Sequence, residues 1–270
     1  MRGWPLLLLV IGCNGQPAIA PGGVVSHNPC IDAVLAEIAV PGQIAAVSVY
    51  SHDADSASAP LEWAQKLPPL GTGAEEIIAA NPGLVLTGNL ASSGTNAALA
   101  KANVKTVAVG VTKSVKEDIA QVRQIAQAIG RVDSGETLVR KIEFATQAFP
   151  RPTSPSAIIW QNGGFVAGEG TLQDELLGLH GFANASKTYG LKSWDILPLE
   201  TLIRNPPDVI FMPITAKGSD ARQLSARLQL LSHVASKTKI VAFPDELLFC
   251  GGPTTIKVSQ IFSATRKALQ

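Results

Sequence analysis

Charge is scarce in this chain: only 16% of its 270 residues are Asp, Glu, Lys or Arg, against about a quarter in an ordinary soluble domain. The two signs nearly cancel, with 22 basic and 21 acidic residues and a formal net charge of +1. A chain so balanced has no field with which to grip a phosphate backbone, which excludes nucleic acid as a partner. A hydrophobic content of 46% excludes intrinsic disorder. Apolar runs stay far below the roughly 20 residues that cross a bilayer, so no membrane span is expected. Catalytic signatures are missing too. There is no Gly-x-Ser-x-Gly elbow, no His-Glu-x-x-His, no phosphate loop ending in Gly-Lys-Ser/Thr and no Cys-x-x-Cys. Gly168-Glu169-Gly170 is too short for a dinucleotide fingerprint. The four His and three Cys show no compact zinc spacing, so no metal centre is expected, and the chain does not read as an enzyme.

What is present begins with a leader. Arg2 supplies a positive end, Leu6 to Ile11 an apolar core, and small residues follow, so residues 1–20 read as an export signal. Two processing readings compete. Val10-Ile11-Gly12-Cys13 resembles a bacterial lipobox that would lipidate Cys13, and Ala18-Ile19-Ala20 suits ordinary signal peptidase. Either way the mature chain works outside the cytoplasm, in the periplasm. Export leaves Cys30 and Cys250 as an even pair in an oxidising compartment, for which a disulfide is the default. Direct contact of these cysteines with a ligand is the alternative.

The strongest internal signal is a repeat. Glu75-Glu76-Ile77-Ile78-Ala79-Ala80-Asn81-Pro82-Gly83-Leu84-Val85-Leu86 recurs 125 positions later as Glu200-Thr201-Leu202-Ile203-Arg204-Asn205-Pro206-Pro207-Asp208-Val209-Ile210-Phe211. In each copy a Glu opens a short helical run, proline stops it, and a buried strand follows. Apolar runs alternate with helical periodicity on both sides, which predicts parallel, doubly wound sheets. Between the halves, Ser114-Val115-Lys116-Glu117 is a capping box that opens one helix, and a second is expected from Ser134 to about Phe149, ended by Pro150. Residues 51–73 and Gly163 to Gly170 read as loops. The expected organisation is an α/β fold of two doubly wound lobes, 23–132 and 151–270, joined by a long α-helix, 133–150, with a ligand cleft between them.

Signal, lobe, helix, lobe is similar to the layout of the helix-linked periplasmic substrate-binding proteins that serve ABC importers of vitamin B12, siderophores and haem. Ser26-His27-Asn28-Pro29-Cys30-Ile31-Asp32 resembles that family's first strand-to-helix turn, Ala46 to Ser51 its second strand and loop, and both repeat copies its "Glu, apolar pair, Pro-Asp" signature. The likeness spans residues 23–270 and is nearest to cobalamin-binding members. It implies a periplasmic monomer, soluble or lipid-anchored, that binds cobalamin or another corrinoid and delivers it to a permease dimer with its ATPase subunits. No cofactor is implied beyond the transported ligand. Haem, a ferric siderophore or another metal chelate is the alternative cargo. The resemblance also implies roles: Tyr50, Phe165 and Trp194 fall where such members place pocket aromatics, and Glu75 and Glu200 where paired glutamates dock onto permease arginines. Glu76 is the alternative in the first lobe. Gly83 in place of the usual Asp, and a cysteine pair unlike those members' intradomain disulfide, depart from the pattern.

The residue chemistry supports part of this independently. A corrin is a wide ring with amide-rich edges, which Tyr and Trp match with flat apolar faces and polar tips. Tyr50, Trp63 and Trp194 are expected in segments after strands, whereas Trp160 reads as strand core. Glu75 and Glu200 are equally explained by the preference for acid at a helix start. His27, His52, Cys30 and Cys250 are expected near turns that face the cleft, where they could contact a ligand. A remote alternative is a secreted thiol enzyme with Cys30 as nucleophile and His27 as base.

Overall fold

The alternation of short apolar runs with amphipathic segments resolves into two parallel sheets. A computed structural model describes residues 22–88, 93–149, 153–214, 219–234 and 238–270. The leader, with its candidate lipidation site Cys13, lies outside the described residues. In the first lobe the order is β1 (Val24–Ser26), α1 (Pro29–Ile38), β2 (Ile44–Ser48), α2 (Leu61–Ala64), β3 (Pro69–Leu70), α3 (Ala74–Ala79), β4 (Leu84–Gly88), α4 (Ser93–Lys101) and β5 (Thr106–Val109). All pair in parallel in the spatial order β3-β2-β1-β4-β5. Because the chain winds outwards in both directions from β1, the loops after β1 and β4 diverge and leave a crevice at the carboxyl ends of the strands.

Two helices follow, α5 (Val115–Ala128) and α6 (Val132–Ala145). Ser114 caps α5 as expected, its Oγ accepting from Glu117 N–H, while the Glu117 carboxylate accepts from Lys113 N–H, one residue before the cap. Val122, Ile125 and Ala126 of α5 and Leu138, Val139 and Ile142 of α6 bury themselves against α1 in the first lobe's core. The connecting helix is shorter than expected, ending at Ala145 instead of Phe149. The prolines at 150 and 152 disfavour helix in what precedes them, and Phe149 N–H bonds instead to Leu179 O, at 2.9 Å.

The second lobe runs β6 (Ser156–Ile159), β7 (Phe165–Ala167), α7 (Leu172–Leu179), β8 (Ala183–Asn184), β9 (Trp194–Ile196), α8 (Leu199–Arg204), β10 (Val209–Met212), α9 (Ser219–Val234), β11 (Lys239–Ala242) and α10 (Pro253–Lys267). Its main sheet is parallel in the order β11-β10-β6-β8. The Gly-rich stretch expected as loop instead contains β7, which pairs antiparallel with β9. Gly168 makes this possible: a Cβ there would lie 2.0 Å from Lys192 O. Likewise the expected loop at 51–73 holds α2 and β3. The sequence repeat is a structural repeat, α3–β4 matching α8–β10, with Ile77 and Leu202 at equivalent positions and both fully buried.

Candidate functional site

Loops at the carboxyl ends of the strands converge on a cleft of about 640 Å³ between the lobes. After β1 come His27, Asn28 and Cys30; after β2, Tyr50, Asp55 and Ser58; after β11, Asp245, Glu246, Phe249 and Cys250. The geometry of the β1 turn follows from its residues. Asn28 caps α1 by accepting from Cys30 N–H at 2.8 Å, and Pro29 occupies the first helical turn, where its missing N–H costs nothing. This fixes Cys30 at the floor of the cleft.

Cys30 and Cys250 form a disulfide across the two lobes, with their Cα atoms 5.0 Å apart. The bridge removes the thiolate that a Cys30 nucleophile needs, so the thiol-enzyme alternative falls. Cys250 meets the cleft as a half-cystine and not as a free thiol ligand. Ser58, from the first lobe, reinforces the tie by donating to Glu246 O at 3.0 Å and lying 3.1 Å from Cys250 Sγ.

A second tie lies just behind. Asp118 of α5 is fully buried and accepts from Gly252 N–H at 2.5 Å and from Thr255 Oγ at 2.6 Å, capping α10 of the other lobe. The positive end of α10 offsets part of the cost of burying that carboxylate, although burial still raises its pKa. Gly251 has to be glycine, because a Cβ there would sit 2.1 Å from Asp118 Oδ1.

Tyr50 projects into the cleft with half its surface exposed, on a 3₁₀ turn at Val49–His52. Asp32 holds that turn: it accepts from Ser48 N–H at 3.0 Å and from Ser51 Oγ at 2.6 Å. Complete burial pushes the Asp32 carboxyl up to about 7, against the pull of these hydrogen bonds. The unfolded carboxyl ionises near 3.8 and the folded one only near 7. Between those values the folded state holds more protons, so stability falls as pH rises through the window and is level above it. The total is at most about 4 kcal/mol. Asp32→Asn is expected to flatten this slope and to be more stable than the parent at pH 8, as read by thermal melts at pH 4.5 and pH 8.

Other expected residues divide between the cleft and the lobes. His27 lines the cleft, with a buried Nε2 that has no hydrogen-bond partner among the described residues, and burial lowers its pKa. His52 is turned away, its Nε2 3.1 Å from Leu67 O. Trp63 is also outside the cleft lining and packs on the first lobe's core. Phe165 and Trp194, brought together by the β7–β9 pair, stack with centroids 5.5 Å apart. Neither reaches the lining directly, but both contact Phe249, at 5.8 and 5.5 Å. Phe249 is 55% exposed and lines the cleft, so it presents an aromatic face there, backed by the other two rings. Sequence reasoning missed Phe249. The signal was its neighbour Cys250, whose pairing with Cys30 holds this loop at the cleft. Trp160 is buried as expected of strand core.

The charge of the lining is one-sided. Asp55, Asp245 and Glu246 contribute carboxylates, and the described lining contains no Lys or Arg. Asp245 is pushed up by burial first and then by Glu246 and Asp55, while a 3.0 Å hydrogen bond from Asn162 opposes this. Such a site attracts hydrogen-bond donors and cations and repels anions. Glu75 and Glu200 occupy the first turns of α3 and α8, and both are exposed. The side chain of Glu76 is engaged by Gly71 N–H at 2.9 Å, whereas Glu75 has no hydrogen-bond or ionic partner among the described residues.

Comparison with known proteins fits this architecture. Residues 24–234 match the family model described as periplasmic binding protein. The chain is similar to the periplasmic heme-binding protein RhuT from Roseiflexus sp. RS-1, at 22% identity and a TM-score of 0.72, covering 92% of this chain and 100% of that one. It is also similar to the heme-binding protein HutB of Vibrio cholerae, at 18% identity, a TM-score of 0.71 and coverage of 92% and 98%. For Helicobacter pylori CeuE with Ni(II) bound the figures are 14%, 0.69, and 92% and 84%. No curated protein sequence matches. With two parallel α/β lobes, a connecting helix and a family match over most of its length, the chain belongs to the periplasmic binding protein family.

Proposed function

We propose that this protein is the substrate-binding component of an ABC importer, works in the periplasm, and takes a corrinoid between its lobes. The observation that carries the cargo assignment is the lining: three carboxylates, no Lys or Arg among the described residues, and one aromatic face. The rim of a corrin is set with neutral amides whose N–H groups donate to carboxylates. Haem through its propionates, and ferric tris-catecholate siderophores through their net charge, are anionic, which this lining disfavours. A cleft of about 640 Å³ lies in the range of small-molecule sites and is open enough to leave the nucleotide tail in solvent.

Phe249 is the side chain on which the ring rests, backed by Phe165 and Trp194, and Tyr50 closes the opposite side. Cyanocobalamin absorbs where tryptophan emits, so its binding is expected to quench Trp194. Phe249→Ala is expected to weaken that binding by roughly tenfold to a hundredfold, the loss typical of a central aromatic anchor. A fluorescence titration of parent and variant measures it; no quenching in the parent, or an unchanged affinity in the variant, would remove this reading.

One observation favours haem as a second reading. The Tyr50 phenol is exposed in the cleft and is a group able to hold haem iron. On that reading the propionates would need cations from outside the described lining.

Delivery rests on the repeat. Glu75 and Glu200 stand at equivalent places on the two lobes, which matches what a two-fold permease dimer would read through a pair of guanidinium groups. The lobes correspond to 23–132 and 151–270, and attachment through Cys13 or cleavage after Ala20 would set whether the chain is tethered.

A further inference from the structure

We infer that the groove between α6 and α10, away from the cleft, is a second ligand site that takes an amphipathic carboxylate: one acyl chain ending in an anionic head. The groove encloses about 600 Å³, within the range of small-molecule sites. Its surface has three parts that a fatty-acid-like anion matches. Phe144, Ala145, Ile256 and Ala264 form an apolar trough. Phe144 is 75% exposed, which is unusual for an aromatic ring in a concave surface. Ser259 is 1% exposed, lines the groove, and its hydroxyl has no hydrogen-bond partner among the described residues. A buried hydroxyl left unpaired is unfavourable, and a carboxylate oxygen is the acceptor it lacks.

The third part is charge. Lys267 on α10 and Lys141 on α6 supply ammonium groups on the two helices that wall the groove. Lys267 has no acidic partner among the described residues, and Lys141 meets Glu37 only at 3.5 Å, with both side chains largely exposed. Two lysines above an apolar trough complement an anion with a tail, and neither a neutral sugar nor a cation uses both features. The neighbouring Ser263 is already satisfied by His180 Nδ1 at 3.1 Å, so Ser259 is the hydroxyl left for a ligand. Because α6 is the connecting helix and α10 belongs to the second lobe, an occupant would bridge them.

Dodecanoate below its micellar concentration, titrated calorimetrically into the full mature protein, is the test. One saturable site is expected, with dodecyltrimethylammonium, of the same chain length and opposite charge, binding far more weakly. Phe144→Asp is expected to weaken dodecanoate roughly tenfold or more, and Lys267→Glu by about threefold to tenfold. Phe249→Ala, in the cleft, should leave it unchanged. Thermal melts establish that each variant is folded. Absent heat, equal affinity for the cationic amphiphile, or affinity that survives both groove substitutions would overturn the proposal. So would a dimer in light scattering that Phe144→Asp disperses, since the groove would then be a contact between copies of this chain.

Discussion

Replacing Cys30 and Cys250 together by serine is expected to lower the melting temperature by on the order of 10 °C and to loosen the cleft. The bridge closes a loop with a sequence separation of 220 residues, so it removes much freedom from the unfolded chain. The chain-entropy estimate for so long a loop is about 5 kcal/mol, and each kcal/mol moves the midpoint of a chain this size by roughly 2–4 °C. The same loss should appear when the parent is melted with a dithiol reductant, and the reductant should not shift the double serine variant further. The effect on binding follows from placement. Cys250 adjoins Phe249, and Cys30 ends the turn that carries His27, so cutting the tie frees both walls at once. The Asp118 cap on α10 remains, which keeps the lobes together while the cleft becomes less pre-formed. Cleft affinity should therefore fall, mainly through a faster dissociation rate. A double variant with unchanged melting temperature and unchanged dissociation rate would show that the bridge has no part in holding the cleft.

Glu75→Ala combined with Glu200→Ala is expected to abolish uptake while leaving ligand affinity within about twofold, because neither residue lines the cleft. Truncating one partner of a desolvated carboxylate–guanidinium pair costs about 2–5 kcal/mol. Losing both pairs then weakens docking by roughly a thousandfold or more. Single variants should be intermediate, and Glu76→Ala close to the parent, since the Glu76 side chain is committed to Gly71 N–H. Labelled-ligand uptake in cells that carry the permease, beside calorimetry on the purified variants, separates docking from binding. Undiminished uptake by the double variant would remove Glu75 and Glu200 from the docking surface.

How far the sequence foretold this structure depends on the range of the interaction. The repeat was legible because helix stop and strand start are local: Pro82 and Pro206 end their helices, and Leu84 and Val209 begin buried strands. The helix cap at Ser114 was legible for the same reason. Strand β7 was not, since its three residues sit among glycines and its partner β9 lies a helix and a strand away. Gly164 and Gly168 read as loop residues, yet they serve close backbone approach to Leu197 and Lys192.

The site divides in the same way. Tyr50 and His27 follow strands in the first lobe's sheet and lie where alternation puts them. His52 sits in a 3₁₀ turn and Trp63 in the single-turn helix α2, elements too short for periodicity to say which way a side chain points. Asp245, Glu246 and Phe249 share the loop after β11, and Asp55 joins them only through a lobe-to-lobe contact, which no local pattern encodes. The one long-range contact the composition announced was the disulfide, because an even cysteine pair in an exported chain has few other fates.

A calorimetric titration of the purified protein with cyanocobalamin, haemin and a ferric tris-catecholate siderophore tests the central claim most directly. A single site that saturates with cyanocobalamin, and no saturation by the two anionic chelates, is the predicted result. Saturation by haemin or the siderophore, with no heat from cyanocobalamin, would contradict the assignment of this acidic, ring-walled cleft to a corrinoid.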